Sequence, residues 1–299
     1  MLRSLRHQII SFILLTLVLS TIPYYFMLSA GSMRADGGLW VLGVMWCPGI
    51  AGMMLQFLER RSLRGLGWGW GNTRHQLWSY LLPLAYATPA YVVVWTTGLG
   101  GFPNSEAAAA IRDQFGLGGD SAFVGVAFRF AIVATLGVIA GLLSATGEEI
   151  GWRGFLVPRL VTLAGPTRAS LFSGSIWALW HFPGIFLLDY NGGTPGWYSA
   201  TMFFIMVLSI SFAFTWLRVA SGSLWTGAIL HASHNSFIQT FFDRVTVPSG
   251  STPYLTGEFG IGLALTAGIT GYLIWRKTMR EDQLQATRED EDSPATHER

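Results

Sequence analysis

Residues 123–146, FVGVAFRFAIVATLGVIAGLLSAT, hold one charged side chain, Arg129, in 24 positions. A helix of about 20 apolar residues spans the hydrocarbon core of a bilayer. The same reading carried outward finds seven more such runs, at 8–30, 37–58, 77–98, 170–188, 197–217, 222–242 and 258–276, and lets the quoted run extend to about 159. Composition agrees: 51% of the 299 residues are hydrophobic and 12% are charged, against roughly 25% charged in a soluble domain. The expected fold class is therefore all-α, a polytopic integral membrane protein with about eight transmembrane helices over 1–279. A polar tail, 280–299, repeats Arg-Glu-Asp at 280–282 and 288–290 and is expected to be disordered.

The first run follows Arg3 and Arg6, as in a signal peptide, but it is too long and lacks a small-x-small cleavage site, so it reads as a span. Orientation comes from the basic residues. Arg3, Arg6, Arg60, Arg61, Arg64, Arg74, Arg159, Arg168, Arg218, Arg276, Lys277 and Arg280 fall in the termini and alternate loops. The other loops hold only Arg34, Arg112 and Arg244. Both termini are expected in the cytoplasm of a multi-pass protein of the cell membrane. The single cysteine, Cys47, rules out an intrachain disulfide and reads as a small buried hydrophobe. No basic cluster with interleaved aromatics suggests a nucleic-acid partner.

Ionisable groups inside a membrane are costly and mark function by default. They are few: Arg129, Glu148, Glu149, Arg153, His181, His231 and His234. Arg129 lies near a span end, where it can snorkel to the interface. Glu148 is eleven residues from Arg159, and His181 and His231 are each thirteen from Arg168 and Arg218. At about 1.5 Å per residue these groups share a depth of roughly 16–20 Å on three helices. That depth requires the span holding Glu148 to run past Trp152 and Phe155 towards Pro158, which is long for one crossing, so tilt or a break near Gly147 is expected. Glu149 and Arg153 are four apart and can form an ion pair on one helix face. Glu148 points about 100° away from Glu149. His231 and Asn235 share a face, and His234 reads as structural.

These residues resemble the CAAX protease and bacteriocin-processing (CPBP) family of intramembrane endopeptidases, the type II CAAX prenyl protease-like enzymes. The first family motif, Glu-Glu-x-x-x-Arg, matches Glu148-Glu149-Ile150-Gly151-Trp152-Arg153. The second, Phe-x-x-x-His, is similar to Trp177-Ala178-Leu179-Trp180-His181, with Trp in place of Phe; the third, His-x-x-x-Asn, matches His231-Ala232-Ser233-His234-Asn235. The resemblance covers roughly 120–240. It implies an eight-helix fold with a cavity open to the cytoplasm. It implies Glu148 as general base, His181 as a holder of the attacking water, and His231 and Asn235 as stabilisers of the oxyanion. Glu149 and Arg153 would organise the site.

The chemistry is self-consistent, because peptide hydrolysis needs an activated water and donors for the developing oxyanion. No cofactor is required on this reading. Its first competitor is a zinc protease using the same Glu and His set, although His-Glu-x-x-His is absent. A serine mechanism lacks a Gly-x-Ser-x-Gly elbow. A non-catalytic membrane receptor, immunity protein or transporter would use the same groups to bind a partner or a proton. The expected partners are the bilayer and a membrane-associated polypeptide, lipidated or not. Oligomeric state is not encoded in any motif.

Overall fold

The computed structural model describes residues 2–292, with side chains for residues 4–280. The side chains of the charged tail expected over 280–299 fall, past Arg280, outside the described residues. Among the described residues the chain is helical, with one isolated bridge between Gly101 and Val247 and no strand. Helices α1 (Leu2–Ala30), α2 (Leu39–Arg60) and α3 (Thr73–Thr96) come first. A short α4 (Ser105–Gln114) then interrupts a stretch that reads as loop in the sequence. Next come α5 (Ala122–Ile132), α6 (Val138–Glu149) and α7 (Val157–Leu187), joined by π-helical turns at Val133–Gly137 and Ile150–Leu156. After α8 (Gly196–Ser221), α9 (Trp225–Asn235) runs through a π-helical segment, Ser236–Phe242, into α10 (Asp243–Val245). The one-turn α11 (Thr252–Leu255) precedes α12 (Ile261–Asp292).

Five described helices are long and apolar enough to cross a membrane: Ser4–Ala30, Leu39–Arg60, Thr73–Thr96, Ala122–Leu187 and Gly196–Ser221. Their outer faces are apolar rather than charged. In α1, Leu14, Val18 and Ile22 form an exposed stripe at four-residue spacing, while Phe12, Thr16 and Ser20 turn inward. An apolar stripe facing outward and small polar residues facing inward suit a helix whose solvent is lipid. The chain is a helical, multi-pass membrane protein.

The 66-residue stretch Ala122–Leu187 is too long for one crossing, since a straight helix of that length would extend about 100 Å. It does not break at Gly147, where φ/ψ remain helical. It reverses at Gly165, the one residue in α7 with non-helical angles (φ 79°, ψ 167°). Such a left-handed φ costs glycine nothing and strains any residue with a Cβ. The reversal brings the Trp177 indole Nε1 within 2.7 Å of Glu148 Oε2, although a straight helix would separate these residues by about 44 Å.

Contacts between helix ends define two rims. At the first, Arg159 donates to Gln8 Oε1 (2.8 Å) and Gln56 Oε1 (2.9 Å), Trp225 Nε1 donates to the Trp68 carbonyl (2.8 Å), and Trp275 Nε1 donates to Thr167 Oγ1 (3.2 Å). At the second, Ser32 Oγ donates to Asp189 Oδ2 (2.8 Å), Trp95 Nε1 to Thr246 Oγ1 (2.9 Å), and Tyr198 Oη to the Tyr254 carbonyl (2.6 Å). Tyr91 Oη also donates to Asp243 Oδ1 there (2.5 Å). Between the rims, α2 packs on the helix carrying Glu148 with almost no side chain intervening. A Cβ on Gly49 would lie 2.3 Å from the Gly147 carbonyl oxygen, and one on Gly151 would lie 2.4 Å from Pro48 backbone. Small residues permit this approach, from which membrane helices gain dispersion contacts.

Candidate active site

Glu148 and Glu149 occupy the last α-helical turn before the π-helical segment Ile150–Leu156. Asn235 likewise ends α9 just before the π-helical Ser236–Phe242. Such wide turns shift side-chain direction within a continuous helix and recur at functional sites.

Glu148 is 1% exposed. Its Oε2 accepts from the indole N–H of Trp152 (3.2 Å) and from that of Trp177 (2.7 Å). Its Oε1 is buried and takes no hydrogen bond from the protein. One oxygen is thus fixed and the other is left with its lone pairs unclaimed by protein donors. Glu148 lines a cavity of about 410 Å³ together with Trp177, His181, His231, His234 and Asn235. The structure thus brings Glu148, His181, His231 and His234, from three helices, to one space.

Glu149 points elsewhere, as a 100° step requires. Its Oε1 accepts from Arg153 Nη1 (2.8 Å) and from His231 Nδ1 (3.1 Å). Neither Glu149 nor Arg153 lines the cavity. The Arg153 guanidinium lies over the Phe214 ring (3.7 Å) and the Trp177 ring (4.3 Å), where the π faces partly replace lost hydration.

Acceptor chemistry fixes the histidine tautomers. A carbonyl only accepts, so the 2.9 Å contact of His181 Nδ1 with the Trp177 carbonyl makes Nδ1 the donor. In a neutral ring Nε2 is then an acceptor. A carboxylate paired with Arg153 also only accepts, so His231 Nδ1 donates to Glu149. His231 can donate from Nε2 as well only as an imidazolium, with Glu149 as its counter-charge.

His234, which reads as structural in the sequence, also lines the cavity. Its Nε2 meets Glu258 Oε1 (2.9 Å), its Nδ1 meets the Tyr86 hydroxyl, and Tyr190 Oη donates to Glu258 Oε2 (2.7 Å). Glu258, Tyr190 and Gln239 are lining residues that the sequence reading passes over. Glu258 sits at a predicted span end, where an acidic residue draws no attention, although it is only 6% exposed. Arg129 reaches the Ala107 carbonyl (3.4 Å), away from the cavity.

Among the described residues, no three His, Cys, Asp or Glu side chains form a group able to hold a metal ion.

Residues 129–237 match the family model described as type II CAAX prenyl endopeptidase Rce1-like. A CAAX prenyl protease 2 of Methanococcus maripaludis is 37% identical over 82 residues, which is 25% of this chain and 29% of that protein. The similarity thus spans under a third of the relative's length. All three motifs fall inside the matched segment, and by that segment the chain is similar to the CPBP (CAAX protease) family.

Proposed function

We propose that the protein is an intramembrane endopeptidase that hydrolyses a peptide bond of a membrane-associated polypeptide. The observation that carries this reading is the asymmetry of Glu148. Its Oε2 is held by two indoles, while its buried Oε1 has no protein donor, in a cavity shared with three histidines and an asparagine. Glu148 Oε1 takes a proton from water, and His181 Nε2 accepts the water's second O–H and aims its oxygen. The hydroxyl adds to the scissile carbonyl. Its developing oxyanion receives hydrogen bonds from His231 Nε2–H and the Asn235 amide, a type of contribution worth about 2.7–4 kcal/mol per donor elsewhere. Glu148 returns the proton to the leaving amine as the C–N bond breaks. Glu149 holds His231 in orientation and balances its charge, and Arg153 holds Glu149.

We further infer eight crossings. The reversal at Gly165 divides Ala122–Leu187 into two legs, and the runs from Trp225 and from Ile261 supply the last two. The first rim, which gathers most of the loop arginines, is assigned to the cytoplasm with both termini.

The test is hydrolysis of quenched-fluorescence peptides by the purified full chain in detergent after exhaustive chelation. Activity should survive chelation and vanish in Glu148→Gln. Activity that disappears with chelation and returns with zinc overturns the metal-free mechanism. Activity indifferent to Glu148→Gln overturns the glutamate.

A further inference from the structure

His231 and Asn235, the two donors of the proposed oxyanion site, differ in how they are held. His231 Nδ1 is fixed by Glu149 Oε1 (3.1 Å). The Asn235 side-chain amide lines the cavity and has no hydrogen bond to any described residue. It also ends α9, where the wide turns of Ser236–Phe242 begin. Its place therefore depends on the backbone beside it.

The residue beside it is His234, which is buried and pinned at both ring nitrogens. Nε2 lies 2.9 Å from Glu258 Oε1. A carboxylate accepts, so Nε2 donates, and the neutral ring accepts the Tyr86 hydroxyl proton at Nδ1. Both anchors are themselves fixed. Tyr86 stands on α3 and is buried. Glu258 accepts from Tyr190 Oη (2.7 Å). Its neighbour Gly257 donates its backbone N–H to Tyr91 Oη (3.0 Å), further along the same α3. The bonds thus form a closed loop from α3 through His234, Glu258 and Gly257 back to α3, and the end of α9 is held inside it. A buried polar network whose members are all satisfied rigidifies what it surrounds.

We propose that Tyr86, His234 and Glu258 are positioning residues for the reaction: they set the place of Asn235, and through it the strength of the oxyanion contact, without touching the reacting atoms. This rests on the endopeptidase reading above. Glu258 and His234 line the cavity, but Tyr86 does not. Tyr86 reaches the site only through the His234 ring, so it separates positioning from contact with substrate. An oxyanion donor acts on the transition state, so displacing one lowers kcat and leaves KM alone.

The test is a double-mutant cycle on the purified full chain in detergent, with quenched-fluorescence peptides, at a temperature where melting shows every variant folded. Asn235→Ala should lower kcat by about 10²–10³-fold. Tyr86→Phe, which removes one hydroxyl, should lower kcat by about tenfold with KM unchanged, and Glu258→Ala should do the same. Glu258→Gln, whose carbonyl accepts from His234 and whose amide donates to Tyr190, should regain most of the rate. In an Asn235→Ala background Tyr86→Phe should cost nothing further, because non-additivity marks residues that act through one another. A role in stability alone would lower melting in both backgrounds without this non-additivity. A Tyr86→Phe kcat equal to the parent's, or the same fold-loss with and without Asn235, overturns the proposal. Glu148→Gln is assayed in parallel. Absence of Glu148-dependent hydrolysis overturns the endopeptidase reading and the positioning role with it, whereas Glu148-dependent hydrolysis with additive effects overturns the positioning role alone.

Discussion

Trp177 Nε1 lies 2.7 Å from Glu148 Oε2, across the reversal that turns one long helical stretch into two legs. The related motif places Phe at this position, and a Phe ring has no proton to donate. Hydrogen bonds to charged groups contribute about 1.5–3 kcal/mol. Trp177→Phe should therefore lower the melting temperature and, by leaving the carboxylate less firmly placed, lower kcat by about ten- to a hundredfold, with KM little changed, since Phe preserves a π face for Arg153. An unaltered kcat would mean that Trp152 alone positions the carboxylate.

The two glutamates should fail in different ways. Glu148→Gln keeps the side-chain shape but cannot accept the water's proton, so turnover should vanish in a folded protein. Glu149→Gln strands Arg153, which is 1% exposed. Breaking a buried pair from one side costs about 3–5 kcal/mol. Melting in detergent should show a larger loss for Glu149→Gln, partly recovered by adding Arg153→Met. If Glu148→Gln unfolds the chain while Glu149→Gln is stable and inactive, the roles are exchanged.

Glu258 holds His234 and Tyr190 together at the cavity wall. Glu258→Ala should lower the melting temperature, by an amount corresponding to about 1–3 kcal/mol for the buried partners left unsatisfied. Glu258→Gln, which still accepts from Tyr190, should recover part of it. Equal melting of Glu258→Ala and the parent chain would show that the cluster is solvated.

Asp243 gives stability a pH dependence of unusual sign. Burial raises its carboxyl from an ordinary 3.8 to about 6, against the opposing hydrogen bond from Tyr91. Between these values the folded state keeps a proton that the unfolded chain has released. The stabilisation is therefore full below pH 4 and is lost as pH rises through 6. Asp243→Asn keeps an acceptor for Tyr91 and removes the titration. Its melting temperature relative to the parent should rise from pH 4 to pH 7. A constant difference would place the carboxylate in contact with water.

Much of this arrangement is legible in the sequence, because lipid imposes a coarse code. Long apolar runs give helices, and Glu148, His181 and His231 stand out as charge or near-charge within them. The four-residue spacing of Glu149 and Arg153 is enough to foresee their pairing. What stays hidden depends on contacts between distant segments. The indole of Trp177 counts as merely aromatic until the reversal at Gly165 aims it at Glu148. Glu258 looks like a span-end acid until His234 and Tyr190 close on it. Helix α4 is missed because Ser105–Gln114, with Glu106, Arg112 and Asp113, is polar enough to pass for loop. The long stretch past Glu149 invites a break at Gly147, but that glycine serves close packing against Trp46 instead.

The reversal at Gly165 also bears on how the protein is made. Glu148 and His181 belong to one hairpin, Ala122–Leu187, which a ribosome completes and a membrane receives as a unit. His231 and Asn235, the oxyanion donors of the proposed mechanism, arrive about fifty residues later. On the proposed mechanism a nascent chain holds its base before it holds the groups that complete the site, and it should stay inert while its neighbours are still being inserted. A chain ending at Ser221 should accordingly enter the membrane, carry the Trp177–Glu148 contact and hydrolyse nothing. Supplying 222–299 as a separate polypeptide should restore some turnover if this latency arises only from the order of synthesis.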